Sequence, residues 1–376
     1  PGIAWDAFDA GDLERSAQAV AKLFSDTGIF EFVEIRRSQA HGKVGAPAIV
    51  AKRGAKNGKP HILLYAHHDV QPPGDEQVWH SSPFEPVEKN GRLYGRGAAD
   101  DKAGIVAHLA AIETLRDICG NDFDLGLTLF IEGEEEAGSP TFRNFLEENQ
   151  SDLAADVIVV ADSGNWTVDV PALTTTLRGL VSQVIEVSTL DHALHSGMYG
   201  GAVPDAMMAT IKLLASLHDE AGSVAIAGLK HGKADELPYS EAQLRTDAGL
   251  PNGTTQIGTG SILDKIWTQP ALTVIGIDAQ SVALSSNTML PSVRAKISLR
   301  IAPGEEPEQA LALLKAHLEA NLPFGATIAY GEAELGRPFS ADSGGWAKIL
   351  AEQALAAAWG TKSVNIGIGG SIPFIA

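Results

Sequence analysis

Three short clusters of histidine and carboxylate residues hold the chemistry that this sequence offers. They are His67-His68-Asp69, the pair Asp100-Asp101 and the run Glu134-Glu135-Glu136, and each sits where a hydrophobic segment ends. Crowded carboxylates repel one another and lose solvation when they are buried, and a bound metal ion relieves both costs. Histidine and carboxylate ligands without cysteine suit zinc, with manganese or cobalt as alternatives. The clusters therefore predict a hydrolytic metal centre.

Each cluster also has an ordinary structural explanation. The His67-His68-Asp69 cluster would be a polar loop after a strand, the aspartate pair would cap a helix, and the glutamate run would be a solvated surface. Asp162, a fourth candidate, follows a strand, as aspartates often do. Four such positions in one α/β domain are hard to obtain by accident, so a metal centre is the favoured interpretation. Alternate strand residues share a face, so Asp69 is predicted to orient the ring of His67, with His68 pointing away.

Alternating strands and helices would position these residues. Buried strands are predicted at 61–66, 125–131 and 156–161, and each leads directly into a candidate residue or cluster. Apolar residues at helical spacing after Gly104 predict a helix that begins just beyond the aspartate pair. This alternation predicts an α/β fold with a mixed, largely parallel sheet flanked by helices. Ligands bind beyond the carboxyl ends of the strands in such sheets.

The middle of the chain has a different order of elements. Its strands and helices succeed one another as β-α-β-β-α-β, the split pattern of a ferredoxin-like domain. The first kind of alternation resumes with a helix at 346–358 and a strand at 363–368. We therefore expect a catalytic domain made of residues 1–176 and 332–376, interrupted by a lid and dimerisation domain at 177–331.

Composition limits the possible functions. The 376 residues include 28 basic and 47 acidic side chains, and the net charge of −19 disfavours binding to nucleic acid or to anionic membranes. No apolar run approaches the roughly 20 residues that span a bilayer. The single cysteine, Cys119, excludes an intrachain disulfide, is predicted to be buried, and fits a cytoplasmic protein.

Four longer motifs resemble those of one enzyme family. They are Ala66-His67-His68-Asp69-Val70-Gln71-Pro72, Tyr94-Gly95-Arg96-Gly97-Ala98-Ala99-Asp100-Asp101-Lys102, Glu132-Gly133-Glu134-Glu135-Glu136-Ala137-Gly138-Ser139 and Leu194-His195-Ser196-Gly197. From about Leu13 to Pro373 the sequence is similar to the co-catalytic dizinc metallopeptidases. These include carnosinase-type dipeptidases, glutamate carboxypeptidases, aminoacylases and succinyl-diaminopimelate desuccinylase. The first and last motifs are closest to the dipeptidase branch.

The resemblance implies two divalent metal ions, zinc before manganese or cobalt, and assigns their ligands. His67 and Asp162 would hold one ion, Glu136 the other, and Asp100 would bridge both. Glu135 would be the general base, and the peptide bond after Asp100 is often cis in this family. The family takes one further histidine ligand from a more C-terminal segment. The last histidine here is His317, on a predicted lid helix, so we expect that ligand to lie outside these 376 residues.

The resemblance also implies residues that contact the substrate. His195 would reach the active site of a partner subunit and stabilise the oxyanion. The substrate backbone and its terminal carboxylate would be bound by Asn287, Arg300, Gly370 and Ser371. The implied activity is hydrolysis of dipeptides or short peptides with a free C-terminal carboxylate, by a homodimer that pairs through the lid. Two alternatives stay open: deacylation of N-acyl amino acids, and an inert dimeric binding protein.

Overall fold

The computed structural model describes residues 1–341, 344–370, 372 and 374–375, and the chain divides into two units, Pro1–Gly164 and Asn165–Ala376. No helix among the described residues has both the length and the apolar character needed to cross a membrane. The first unit contains β1 (Phe32–Arg36), β2 (Gln39–Ala40), β3 (Lys43–Val44), β4 (Ala48–Arg53), β5 (His61–His67), β6 (Val87–Lys89), β7 (Arg92–Tyr94), β8 (Gly126–Glu132) and β9 (Val157–Val160), with helices α1 (Ala10–Ser25), α2 (Lys102–Cys119), α3 (Phe142–Glu148) and α4 (Gln150–Leu153).

Five of these strands form a mixed sheet in the order β1-β4-β8-β5-β9. Strands β8, β5 and β9 are parallel, whereas β4 and β1 pair antiparallel. Apolar side chains of α1 and α2 pack on one face, as shown by Phe24 and Ile112 in the core with Leu129 of β8. On the other face, Phe130 of β8 stacks on Phe145 of α3, with ring centroids 5.1 Å apart. Alternate residues of β8 are thus covered on both sides, which is why the strand is buried throughout.

Two predictions about burial are wrong. Strand β9 lies at the edge of the sheet, and its Ile158 and Val159 are 53% and 43% exposed, whereas the apolar run predicts a buried strand. A parallel strand is buried only where neighbouring elements cover it. Cys119 is exposed as well, because it is the last residue of α2, directly before the Gly120 cap.

The second unit contains two larger sheets. Its elements are β10 (Ala172–Leu177), β11 (Gly179–Ser188), β12 (Leu194–His195), β13 (Ala271–Ile277), β14 (Thr288–Met289), β15 (Ser292–Ile301), β16 (Thr327–Gly336), β17 (Phe339–Ser340) and β18 (Val364–Ile368), with α5 (Ser196–Tyr199), α6 (Ala206–Ala215), α7 (Glu241–Asp247), α8 (Pro307–Ala320) and α9 (Trp346–Trp359). One sheet has the order β13-β15-β11-β16 and the other β17-β10-β18.

The four-stranded sheet has the predicted ferredoxin-like topology. Its elements follow the chain as β11-α6-β13-β15-α8-β16, and each neighbouring pair of strands is antiparallel. Helix α8 begins at Pro307, which suits the first helical position, and buries Ala310, Leu314 and Leu318 at the spacing of one helical face. The α/β class with a mixed sheet, flanking helices and a βαββαβ domain is confirmed. The domain boundaries at 176/177 and 331/332 stay a prediction.

Candidate metal centre

The parallel strands β5, β8 and β9 have their carboxyl ends side by side at the same end of the first sheet. In the parallel pairing of β5 with β8, His67 lies opposite Glu132, and Ile62 of β5 lies opposite Val157 of β9. The same register, continued five residues further, places Asp162 beside His67. Accordingly, Nε2 of His67 is 3.9 Å from Oδ1 of Asp162.

The N-terminus of α2 brings the aspartate pair to this end of the sheet. Gly104 permits a close approach, since a Cβ there would lie 2.2 Å from the carbonyl oxygen of Ala161. Across a cis peptide bond, the two aspartates do different things. Asp101 accepts the backbone N–H groups of His67 and Gly104, at 3.1 and 3.2 Å, and therefore caps the helix. Oδ1 of Asp100 lies 3.0 Å from Nε2 of His67, and the Asp100 side chain is 66% exposed.

A short 3₁₀ turn orients the second and third residues of the glutamate run. This turn, Glu135–Ala137, directs the N–H groups of Glu135 and Glu136 to the buried carboxylate of Asp69, at 3.2 and 3.1 Å. The side chain of Gln71 donates to Oε2 of Glu136 at 2.6 Å. The backbone of both glutamates and the side chain of Glu136 are therefore held at the end of β8. A carboxylate oxygen of Glu136 lies within 4.8 Å of a ring nitrogen of His67.

Glu134, the first residue of the run, holds two loops together. Its carboxylate accepts the backbone N–H of Ala46 at 2.9 Å, and the N–H and hydroxyl of Thr141 at 2.7 and 2.6 Å. A buried carboxylate with three such donors is satisfied without a metal ion. This arrangement explains why three adjacent glutamates need not share one role.

Two groups of potential metal ligands converge at this end of the sheet. The ligand atoms of His67, Asp100 and Glu136 all lie within 4.8 Å of one another, and so do those of His67, Asp101 and Asp162. Imidazole nitrogen and carboxylate oxygen without thiolate are donors that zinc and manganese accept. The residues present therefore fit a divalent metal centre. His67 belongs to both groups, so it occupies the middle of the site.

His67 is surrounded by anions. Burial lowers its pKa, but hydrogen bonds with Asp100 and Asp69 and the charges of Asp69 and Asp162 outweigh burial and raise the pKa to about 12. Its Nδ1 faces Asp69, at 3.2 Å from the backbone carbonyl and 3.4 Å from the carboxylate. His68 turns away and is fully buried, with its Nε2 2.8 Å from a backbone carbonyl.

Glu135 has the electrostatics of a proton carrier. Burial raises its pKa to about 8, the charges of Asp162 and Glu132 act in the same direction, and the charge of His67 opposes them. Burial likewise raises the pKa of Asp162 to about 6. A carboxyl group whose pKa lies near neutrality can accept a proton and return it within one reaction cycle.

The second unit holds the other residues predicted to contact the substrate. In the pairing of β12 with β14, His195 lies opposite Thr288, and the carbonyl of Asn287 accepts the N–H of Ser196 at 2.9 Å. Nδ1 of His195 accepts the N–H of Gly197 at 3.1 Å, so the neutral ring carries its proton at Nε2. Asn287 directly precedes β14 and therefore lies beside the His195-Ser196 segment.

The remaining predicted residues lie elsewhere in this unit. Arg300 is on β15, half-buried, and Gly370 follows β18. Ser371 lies outside the described residues. Two contacts near the metal centre were not predicted from the sequence: Gln71 holds Glu136, and Asp101, considered only as part of a helix cap, also holds the backbone of His67. Their proximity to predicted ligands in the motifs was the available signal, but their side-chain directions depend on distant segments.

Comparison with known proteins identifies the family. The model of peptidase family M20/M25/M40 matches residues 63–376, which include every residue of the candidate metal centre. The chain belongs to this peptidase family. The predicted resemblance to metallopeptidases is therefore confirmed, and so is the enzymatic class.

Similar proteins of the M20/M25/M40 family include named dipeptidases. The chain is 35% identical over 333 residues to the cysteinylglycine-S-conjugate dipeptidase of Corynebacterium striatum, covering 87% of this chain and 73% of that protein. It is 28% identical over 344 residues to the beta-Ala-His dipeptidase of Rattus norvegicus, covering 87% and 69%. The solved structure of the di-peptidase Dug1p from Saccharomyces cerevisiae shares the fold, with a TM-score of 0.80, 22% identity, and coverage of 100% of this chain and 82% of that one.

Metal binding to this peptidase is expected to release at least about one proton per chain at pH 7. The sign follows from the pKa values: His67, at about 12, and Glu135, at about 8, carry protons at this pH, and a bound cation displaces or repels them. The apparent affinity should therefore rise with pH. Calorimetric titration of chelator-treated protein with zinc chloride, in two buffers of different ionisation enthalpy, measures the number of protons. Binding without proton release would contradict this assignment.

Proposed function

We propose that this metallopeptidase hydrolyses the amide bond of dipeptides or short peptides with a free C-terminal carboxylate. The observation that supports the proposal most directly is the convergence of His67, Asp100 and Glu136 where the parallel strands end. Glu135 accompanies them, and its pKa is raised by burial. The dipeptidase names of the relatives agree with this substrate class.

The proposed centre contains two divalent ions, zinc before manganese or cobalt. His67 and Asp162 would hold one ion, Glu136 the other, and Asp100 would contact both. Asp69 would keep the His67 ring in the orientation that presents Nε2, since Nδ1 faces it. When bound, the ions polarise the scissile carbonyl and acidify a water molecule.

Proton transfer is assigned to Glu135. Its carboxylate takes a proton from the attacking water and passes it to the nitrogen of the leaving amine. Burial raises the pKa of this carboxyl group to about 8, so it can both accept and return the proton near neutral pH. The Asp69 carboxylate accepts hydrogen bonds from the backbone N–H groups of Glu135 and Glu136, and these bonds fix the backbone of the base relative to the ligands. Such preorganisation means that little rearrangement is needed during the reaction.

Residues of the second unit are assigned to the substrate. The Nε2–H of His195 would donate to the oxyanion, and Asn287 would bind the substrate backbone. Arg300 would pair with the terminal carboxylate, for which a guanidinium group has the matching geometry, together with Gly370 and Ser371.

We also propose a cytoplasmic homodimer that associates through the lid domain, residues 177–331. The edge strand β13 supports this proposal, because it exposes Ile275 and Ile277, at 55% and 42%. Ile211 of α6 is also 55% exposed. An exposed edge strand with apolar side chains is a surface that a second copy can cover. The homodimer would bring His195 of one subunit to the metal centre of the other.

A matched substrate panel tests the proposed reaction. Cysteinylglycine and β-alanyl-histidine are compared with N-acetylglycine and N-acetylhistidine, which keep the same C-terminal residues. We expect kcat/KM to be at least about tenfold higher for the dipeptides, because their ammonium group is attracted to the acidic site. Preference for the N-acetyl compounds would establish a deacylase instead. No turnover of any compound by protein that holds metal would favour an inert binding relative.

A further inference from the structure

Arg178 is a buried arginine that joins three segments of the second unit. It lies between β10 and β11 and is 9% exposed. Its Nε donates to the carbonyl of Gly369, and its Nη1 donates to the carbonyls of Lys265 and Gln269, each at 3.3 Å. One side chain therefore ties the start of β11 to the segment that precedes β13 and to the Gly369-Gly370 turn after β18.

The charge of Arg178 has no carboxylate partner among the residues that the structure describes. Burial and the like charge of Arg300 lower the pKa of Arg178 to about 10. Arg178 directly precedes β11, in which Leu180 lies opposite Arg300 of β15. Continued by one residue beyond the last pair, Gly179 with Ile301, this register places Arg178 diagonally from Arg300. Diagonal neighbours in an antiparallel pair have Cα atoms about 7–8 Å apart. A buried cation beside a second cation is stabilised by an anion, and in this part of the structure the chain itself supplies none.

The outer nitrogen of Arg178 lies against Gly369. A Cβ at Gly369 would be 2.5 Å from Nη2, so a side chain there would displace the guanidinium group. The three hydrogen bonds to carbonyls use Nε and Nη1, and within the described residues Nη2 has no hydrogen-bond partner. The guanidinium group therefore combines a fixed position with N–H groups that remain available.

We propose that Arg178 is a positioning residue of the carboxylate subsite: it holds the Gly369-Gly370 turn and adds its positive charge to that of Arg300, which binds the terminal carboxylate of the peptide. This inference rests on the proposed function, in which Arg300 has that role. It extends the subsite from one cation to two, so selectivity for a free carboxylate depends on both arginines.

A second buried arginine provides a control. Arg53 is 8% exposed and donates to the carbonyls of Ile29 and Phe123, at 3.4 and 2.8 Å. Its guanidinium carbon also lies 4.2 Å from the centre of the Phe123 ring. Arg53 belongs to the first unit and has no part in the proposed site, so Arg53→Met reports the cost of removing a buried arginine as such.

The experiment compares a dipeptide with its own C-terminal amide. The best-cleaved dipeptide is used to measure kcat and KM, and its amide is measured as a competitive inhibitor, in the wild type and in Arg178→Met, Arg178→Lys and Arg53→Met. Arg178→Met should raise KM for the dipeptide about tenfold or more and change Ki for the amide by less than about twofold. Arg178→Lys keeps the charge but not the three hydrogen bonds, so its KM should lie between those of the wild type and Arg178→Met.

Other outcomes would overturn the inference. An equal change in KM for the dipeptide and in Ki for the amide would make Arg178 a structural residue, and so would the same selective change in Arg53→Met. If Arg178→Met does not fold, Arg178→Gln, which keeps donors but no charge, decides between the two roles by the same comparison. If the wild type cleaves dipeptides while the Arg178 variants keep their preference for the free carboxylate, only this inference fails. Absence of dipeptide cleavage in the wild type would instead remove the proposed function.

Discussion

Replacement of Glu135 by glutamine is expected to lower kcat by about 10²–10⁴-fold, the contribution of a positioned general base. Glutamine keeps the size of the side chain and the backbone N–H that donates to Asp69, but it cannot accept the proton of the attacking water. Metal content should stay at the wild-type level, because Glu135 belongs to neither group of converging ligand atoms. Steady-state kinetics and elemental analysis of the same preparation measure both quantities.

The neighbouring Glu134→Gln variant is the matched control. Glu134 binds the backbone of Ala46 and Thr141, so its replacement should lower the thermal unfolding temperature and leave kcat within about threefold of the wild type. Turnover by Glu135→Gln close to that of the wild type would refute the assignment of the base. A large loss of kcat in Glu134→Gln with normal stability would show that the two residues had been assigned the wrong way round.

Removal of the Asp100 carboxylate is expected to abolish both metal binding and activity. Asp100→Ala should lower kcat/KM by more than about 10³-fold, since the Lewis-acid contribution of a divalent cation amounts to several kcal/mol. The physical reason is geometric: Asp100 Oδ1 is 3.0 Å from His67 Nε2 and faces the ligand atoms of Glu136. Metal affinity, measured by calorimetry on chelator-treated protein, should fall in parallel.

Asp117→Ala provides the control for loss of one negative charge from the first unit. Asp117 lies on α2, the helix that begins just after the Asp100-Asp101 pair, and its side chain is 71% exposed. This variant should keep metal content and kcat/KM within about twofold of the wild type. Full metal occupancy in Asp100→Ala would show that Asp100 is not a ligand, whatever the change in activity.

The sequence was a good guide to the secondary structure near the site. The buried strands that end at His67 and before the glutamate run form as predicted, and so does the helix after the aspartate pair. These are local properties of the sequence. Apolar residues at every second position share one face of a strand, and those at a spacing of about 3.6 positions share one face of a helix. The prediction fails at β9, where the apolar run says nothing about whether another element covers Ile158 and Val159.

Local sequence patterns could not distinguish the roles of adjacent acids; only the family resemblance assigned roles to Asp100, Glu135 and Glu136. Asp100 and Asp101 are chemically identical, yet one faces His67 Nε2 and the other caps α2. The same holds for Glu134, which binds the remote Thr141, while Glu136 is held by Gln71. Side-chain direction depends on contacts between segments far apart in the chain, which no local pattern contains.

The sequence by itself determined the fold class, the order of the elements and the set of residues from which a metal centre can be built. Only the tertiary structure decided which of those residues converge, because the parallel register of β5 and β9 places Asp162 beside His67. It also determined the surroundings of Arg178, for which no pattern in the sequence predicted a role. Its burial beside Arg300, and its hydrogen bonds to Gly369 and Lys265, arise from the packing of segments far apart in the chain.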